Sequence, residues 1–127
     1  MKVNPVNSPS APKPEGGYSQ AVQVTDAKRM LLVSGQIPET VDGEVPDGFD
    51  AQARLVWKNV VAQLEAAGMS VANLVKVTIY LSSREYAQPN SDIRREVLGT
   101  HVPTLTVIIT GIFDEQWLLE IEAMAVE

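Results

Sequence analysis

Residues 49–81 read FDAQARLVWKNVVAQLEAAGMSVANLVKVTIYL, a helical pattern followed by a strand pattern. In the first part, apolar residues recur at steps of three and four, which is typical of an amphipathic helix. The members of this stripe are Phe49, Ala53, Val56, Val60, Leu64 and Ala67. Because Gly68 is well placed to end a helix, we predict one over residues 48–67. Apolar and polar residues alternate from Leu74 to Leu81, which predicts a strand with one buried face.

Further strands are indicated on the N-terminal side of this unit. The residues favour strand at 18–24 and again at 30–34, with a turn at Asp26-Ala27-Lys28 between them. This arrangement predicts an antiparallel hairpin. Residues 37–48 contain two prolines and two glycines, which indicate a loop before the helix.

The C-terminal side adds a second helix and two strands. A shorter helix is predicted over roughly 85–98, with Pro89 restricted to its first turn. The runs 105–111 and 117–126 are rich in β-favouring residues and are expected to pair with each other. The order is then β-β-α-β-α-β-β, which predicts an α+β fold with a single sheet and two helices on one face.

The first 17 residues differ in composition from the rest of the chain. They contain four prolines, two serines and the pair Gly16-Gly17, with little that could be buried. We therefore expect an extended arm over residues 1–17, followed by a single domain over 18–127.

Composition and charge exclude several classes of function. Sixteen acidic against ten basic residues give a net charge of −6, which disfavours nucleic acid as a partner. The absence of cysteine excludes disulfides and thiolate metal sites, and it suits a reducing compartment. No signal peptide and no membrane-spanning stretch is visible. We expect a cytoplasmic protein with no metal, no cofactor and no membrane partner.

The sheet of a single copy is expected to leave an apolar face uncovered. On the last strand, Leu119, Ile121, Ala123 and Ala125 suit packing under the helices, whereas the other face presents Leu118, Glu120, Glu122, Met124 and Val126. Two helices cover only one face, and large exposed apolar patches are uncommon in monomers. We therefore infer a homo-oligomer; the alternative is an ordinary two-sided strand in a larger sheet.

Few residues are candidates for chemistry. His101 is the only histidine and lies in a predicted loop, so we interpret it as a loop residue and not as a catalytic base. Glu120 and Glu122 project from the same face of a strand. If that face is partly desolvated, the pKa of one carboxyl rises and it becomes a candidate general acid or water-positioning group. Alternatively, both carboxylates reach solvent or pair with Lys76 or Arg54.

Four motifs agree, in order and spacing, with one known family. They are Tyr18-Ser19-Gln20-Ala21, Ser34-Gly35-Gln36-Ile37-Pro38, Val75-Lys76-Val77-Thr78 and Glu120-Ile121-Glu122-Ala123. From Tyr18 to Val126 the chain resembles the RidA/YjgF family of small trimeric imine deaminases. The resemblance implies a chorismate-mutase-like fold that assembles as a trimeric barrel, with a small-molecule cleft between adjacent subunits.

The same resemblance implies a set of site residues. Glu120 would be the catalytic residue that holds the attacking water. The cleft walls would be formed by Tyr18, Ser34, Gly35, Asn90, Leu105, Thr106 and Val107. The family's Pro-Ala-Arg-Ser run reads Pro103-Thr104-Leu105-Thr106 here, so leucine stands where relatives place the arginine that binds a substrate carboxylate.

Three functions are consistent with these observations. The first is an enamine or imine deaminase whose substrate preference is altered by Leu105. The second is a non-catalytic trimer that binds a small metabolite in the same cleft. A weaker third follows the family's older label of endoribonuclease or translation inhibitor, which the acidic charge and the single histidine disfavour.

Overall fold

The computed structural model describes all 127 residues and has an α+β architecture. Its elements in chain order are β1 (Lys2–Val6), β2 (Ala21–Thr25), β3 (Met30–Gln36), α1 (Phe49–Ala66), β4 (Leu74–Leu81), α2 (Ala87–Leu98), β5 (Thr104–Ile109) and β6 (Leu119–Val126). Short 3-10 turns precede β4 and α2. The predicted fold class, with two helices packed on a β-sheet, is confirmed.

The main sheet has four strands in the order β3-β6-β4-β5. Strand β6 is antiparallel to both of its neighbours, whereas β4 and β5 are parallel. Parallel neighbours need a crossover connection, and α2 supplies it. The predicted bounds of β4 are reproduced, and both helices lie within two residues of their predicted ends.

The predicted pairing of 105–111 with 117–126 is wrong, because β4 lies between β5 and β6. Strand β4 is the more suitable centre, since its side chains are buried on both faces: Val77 and Ile79 on one and Thr78 on the other. Strand β5 is exposed from Thr106 onward, as befits an edge strand.

The predicted hairpin of 18–24 with 30–34 is also wrong. Strand β2 pairs instead with β1, from the N-terminal arm, and the two form a separate two-stranded sheet. Strand β3 pairs with β6, and the backbone of Arg29 bonds to that of Glu127 in both directions at the end of this pair. The expectation of a single sheet therefore holds only for the four strands of the main sheet. The division into an arm and a domain stays a prediction.

The core lies between α1 and the main sheet. The predicted stripe of α1 is buried, with Val56, Val60 and Leu64 fully covered, and the helix packs against β6 and β3. The helix ends at Gly68, whose φ of +74° suits glycine. There the amides of Gly68 and Met69 bond back to the carbonyls of Glu65 and Leu64, a C-terminal motif that satisfies the last carbonyls.

Neither helix combines the length and the apolar character that crossing a membrane requires.

Candidate functional site

The side chain of Glu120 lies directly against the backbone of Gly35. The register of β3 on β6 is irregular between Val33 and Gln36, and Gly35 falls within that irregularity. A Cβ placed on Gly35 would lie 2.7 Å from Cδ and 3.0 Å from Cγ of Glu120. Only glycine leaves room for the carboxylate here. The structure thus brings together Ser34, Gly35 and Glu120, three of the residues singled out from the sequence.

The environment of Glu120 favours its protonated form. Partial burial, and to a lesser degree the negative charge of Glu122 on the same face, raise the pKa of the Glu120 carboxyl above its ordinary value. Such a group is suited to hold a water molecule and to exchange a proton with a bound reactant.

Glu122 has a partner of its own. The Tyr80 hydroxyl donates a hydrogen bond of 2.6 Å to the Glu122 carboxylate. Because the negative carboxylate favours the neutral form of the phenol, this hydrogen bond raises the pKa of Tyr80. The alternative in which the glutamates pair with Lys76 or Arg54 is not realised, since neither glutamate forms an ion pair and Arg54 pairs with Asp50 and Glu96 at the helices.

A hollow of about 340 Å³ opens on the face of the main sheet that the helices leave uncovered. It is lined by Leu32, Val33, Ser34, Lys76, Thr78, Glu122, Ala123 and Met124. Leu32 remains 68% exposed beside it. By strand register, Thr106 lies in one row with Thr78 and Glu122, so it shares this open face.

Tyr18 lies near the start of β5. The next residue, Ser19, forms a parallel bridge with Thr104, and its amide and hydroxyl bond to the carbonyls of Pro103 and Val102. These hydrogen bonds fix the segment before β2 beside the start of β5.

Leu105 faces away from the Glu120 carboxylate. Its register partner is Val77, and its half-buried side chain packs on the core beneath the helices. Val107 belongs to the same face and is 39% exposed. Since Glu120 lies on the opposite face of the sheet, one chain does not bring all the predicted site residues into one pocket.

Asn90 and Arg94 are four residues apart on α2, so they lie on the same face, and both are only 4% exposed. The Arg94 guanidinium donates to the Gly17 carbonyl at 3.4 Å and to the Ser91 hydroxyl at 3.3 Å. Its Nε has no hydrogen-bond partner. Sequence reasoning missed Arg94, because Arg94-Arg95 read only as a basic pair.

His101 has a structural role. One ring nitrogen lies 2.6 Å from the Leu74 carbonyl oxygen, which joins the loop before β5 to the start of β4. No cluster of three or more His, Cys, Asp or Glu side chains suited to a metal ion occurs in the chain.

Comparison with known proteins gives a family match over nearly the whole chain. The family model described as endoribonuclease L-PSP matches residues 8–127. A RutC family protein of Pyrococcus horikoshii is 36% identical over 122 residues, which covers 91% of each chain. An Escherichia coli protein named as a reactive intermediate deaminase, TdcF, is 32% identical over 125 residues and 95% of each chain.

Solved structures agree with the fold. The crystal structure of TdcF with bound serine has a TM-score of 0.74 at 30% identity and covers 98% of each chain. A Rid family protein from Yersinia pestis, YyfB, has a higher TM-score of 0.83 at 23% identity and covers both chains completely. At that identity the second likeness supports the fold alone.

Proposed function

The chain belongs to the endoribonuclease L-PSP family, which includes RutC and Rid proteins, and on that basis we propose that it is an enamine or imine deaminase. The observation that carries the proposal is the packing of the Glu120 carboxylate on Gly35, which holds a carboxyl of raised pKa on an open sheet face. A relative named as a reactive intermediate deaminase supports the reaction class.

The proposed reaction is the hydrolysis of a carbon–nitrogen double bond. Water adds to the imine carbon and a proton is transferred to nitrogen, which gives a carbinolamine; expulsion of ammonia then leaves the carbonyl compound. An enamine enters the same sequence after protonation at carbon. Glu120 would act in its carboxylate form during addition, when it holds the water and accepts its proton, and would then return a proton to the departing nitrogen. Overall, one imine and one water yield one carbonyl compound and one ammonia.

The substrate preference of this chain should differ from that of relatives with an arginine at position 105. Leu105 offers neither a charge nor a hydrogen-bond donor, and it packs on the core. Loss of a charge-assisted contact costs about 1.5–3 kcal/mol, or roughly ten- to 150-fold in affinity. A ligand whose carboxylate depends on that position would therefore bind weakly.

The proposed cleft lies between two copies of the chain, as the family resemblance implies for a trimer. This arrangement is supported by the placement of Glu120 and Leu105 on opposite faces of one sheet, since a neighbour could bring the second group to the first. Exposed apolar side chains, among them Met30 and Leu32, also leave a surface suited to another copy. A cytoplasmic location likewise stays a prediction.

Deamination can be tested by trapping. An amino acid oxidase generates imines from a panel of amino acids, and semicarbazide captures the imine that survives. We expect the wild-type protein to lower the initial rate of semicarbazone formation, and Glu120→Ala to lose this effect. Glu115→Ala, which removes a carboxylate from an exposed loop, is the matched control.

Three outcomes would distinguish the deaminase from its alternatives. If no imine is consumed above background, and wild type and Glu120→Ala are indistinguishable, the deaminase proposal fails. Ligand-dependent thermal stabilisation without turnover would then favour the alternative of a metabolite-binding trimer. RNA cleavage by a highly purified sample, abolished by Glu120→Ala, would instead favour the endoribonuclease alternative.

A further inference from the structure

Arg94 is the only charged side chain among the buried polar residues of the chain. The three ion pairs of the structure use Arg29 and Arg54, so no carboxylate pairs with Arg94. Its two hydrogen-bond acceptors are neutral and lie at 3.3 and 3.4 Å, which is longer than is usual for such bonds. The cation is therefore buried without the counter-charge that buried cations ordinarily have.

The absence of a counter-charge has a measurable physical consequence. Burial lowers the pKa of the Arg94 guanidinium, and the positive charge of the adjacent Arg95 acts in the same direction. An anion at this place would oppose both effects, because an opposite charge favours the charged form of the guanidinium. The chain has sixteen acidic residues, yet none is positioned to supply it.

Arg95 adds a second unpaired guanidinium beside the first. It is exposed, and it donates to the Gly16 carbonyl at 3.4 Å. The two arginines thus contact consecutive carbonyls of the Gly16-Gly17 segment. Neither position carries a side chain: a Cβ on Gly16 would lie 3.4 Å from Arg95 Nη2, and one on Gly17 3.5 Å from Arg94 Nη1. No side chain from either of these two positions therefore lies against the guanidinium groups.

Arg94 and Arg95 lie near residues that the family resemblance assigns to the cleft. Tyr18 follows Gly17 directly in the chain. Ser19 is bridged to Thr104, the residue before Leu105. Asn90 lies one helical turn before Arg94 on the same face of α2. Two residues implied as cleft walls, Tyr18 and Asn90, thus lie in the two segments that meet at Arg94, and a third, Leu105, follows the residue that is bridged to Ser19.

We propose that Arg94 and Arg95, over Gly16-Gly17 and beside Tyr18, form an anion site that binds the carboxylate of a small organic acid. The carboxylate replaces the weakly bound glycine carbonyls and meets the guanidinium fork, whose geometry suits two parallel hydrogen bonds. All of these residues belong to one chain, so the site does not depend on assembly. Its role as a substrate site rests on the proposed function: the substrate would carry its anionic group to α2 rather than to position 105.

The test compares a carboxylate with its neutral counterpart. Thermal unfolding of the full-length protein is followed against rising concentrations of pyruvate and, in parallel, of pyruvamide, which has the same shape without the charge. We expect pyruvate at about 10 mM to raise the Tm by roughly 2–4 °C and pyruvamide to leave it unchanged. Inorganic phosphate is run as a third ligand.

Three variants locate the effect. Arg94→Met should fold, because replacing an unpaired buried cation with an apolar side chain of similar length is often neutral or stabilising. Its apparent affinity for pyruvate should fall at least ~10-fold. Arg95→Met, at an exposed position, should lower the affinity several-fold and decides the question even if Arg94→Met does not fold. Arg84→Met removes an exposed arginine elsewhere and should bind pyruvate as the wild type does.

Several outcomes would overturn the proposal. For the wild type, these are no stabilisation by pyruvate, equal stabilisation by pyruvate and pyruvamide, and stabilisation by phosphate but not by pyruvate. For the variants, the contradicting outcome is unchanged pyruvate binding in Arg95→Met and in a folded Arg94→Met. Pyruvate binding that depends on these arginines, without deamination, would leave the anion site standing and remove only the proposed enzyme activity. If the protein deaminates imines but binds pyruvate equally well without either arginine, the enzyme activity stands and the anion site is refuted.

Discussion

The carboxylate of Glu120 fills the space in which a side chain at Gly35 would lie. This contact joins two strands that are 85 residues apart in sequence at these positions, and it fixes the one carboxyl whose surroundings favour protonation. The glycine is therefore required by a close approach and not by its backbone conformation, because no positive φ occurs at Gly35.

Gly35→Ala should displace Glu120 and destabilise the protein by about 1–3 kcal/mol, the usual cost of adding a methyl group to a filled site. Gly111→Ala is the matched control, since a Cβ there meets nothing within 4 Å; it should change the free energy of unfolding by less than ~0.5 kcal/mol. Denaturant unfolding measures both. In a Glu120→Ala background the cost of Gly35→Ala should shrink, and an undiminished cost would contradict the contact.

Glu120→Gln should stabilise the protein more at pH 7 than at pH 4. A carboxyl whose pKa is raised on folding contributes stability that is present below the unfolded pKa, about 4.3, and is lost as the pH rises through the folded pKa. Because glutamine does not ionise, the variant does not lose this stability as the pH rises. The measurement is the difference in free energy of unfolding between variant and wild type across this range. Glu115→Gln controls for the change in net charge, and a flat difference for Glu120→Gln would refute the pKa shift.

Glu122→Gln should lower the pKa of the Tyr80 phenol toward its ordinary value. The Glu122 carboxylate accepts the phenol proton in a hydrogen bond and its charge opposes formation of phenolate. Tyrosine ring carbon signals in an NMR titration report the pKa of each of the three tyrosines separately. Tyr18 and Tyr86 serve as internal controls, and an unmoved Tyr80 titration would show that the bond is not formed in solution.

Gln52→Ala should destabilise the protein by about 2–4 kcal/mol. Gln52 is 3% exposed, and its amide donates to the carbonyls of Pro46 and Gln116 and accepts from the amide of Leu118. Truncation leaves these groups without their partner, at roughly 1 kcal/mol or more for each bond. Gln63→Ala, on the exposed side of the same helix, should cost less than ~0.5 kcal/mol. Equal costs would contradict the role of Gln52 in holding the loop before β6.

The helices and the central strand could be predicted from the sequence because their signals are local. The stripe from Phe49 to Leu64 and the alternation from Leu74 to Leu81 each arise from neighbours along the chain. Strand pairing is different, since it depends on contacts between distant segments. Strand β2 finds a partner in residues 2–6, a proline-containing segment that carries no strong strand signal.

The candidate site likewise contains residues that a local pattern indicates and a residue that no local pattern indicates. The two-residue spacing of Glu120 and Glu122 placed both on one face, and the family resemblance pointed to Gly35. Nothing local indicated that Arg94 is buried, because an arginine on an amphipathic helix is ordinarily exposed. Its guanidinium lies against the Gly16-Gly17 segment, and Gly17 is 77 residues away in the sequence.

Leu32→Glu should convert the proposed assembly into monomers. Leu32 is 68% exposed on the uncovered sheet face, next to the hollow that contains Ser34 and Glu122. A buried carboxylate without a partner at an interface is strongly unfavourable. Val41→Glu is the control: Val41 is fully exposed in the loop before α1, so the same change should leave assembly intact. Sedimentation or light scattering at working concentration measures the mass. If both variants keep the wild-type mass, this face is not the interface, and if the wild type is itself monomeric, the inter-subunit cleft does not exist.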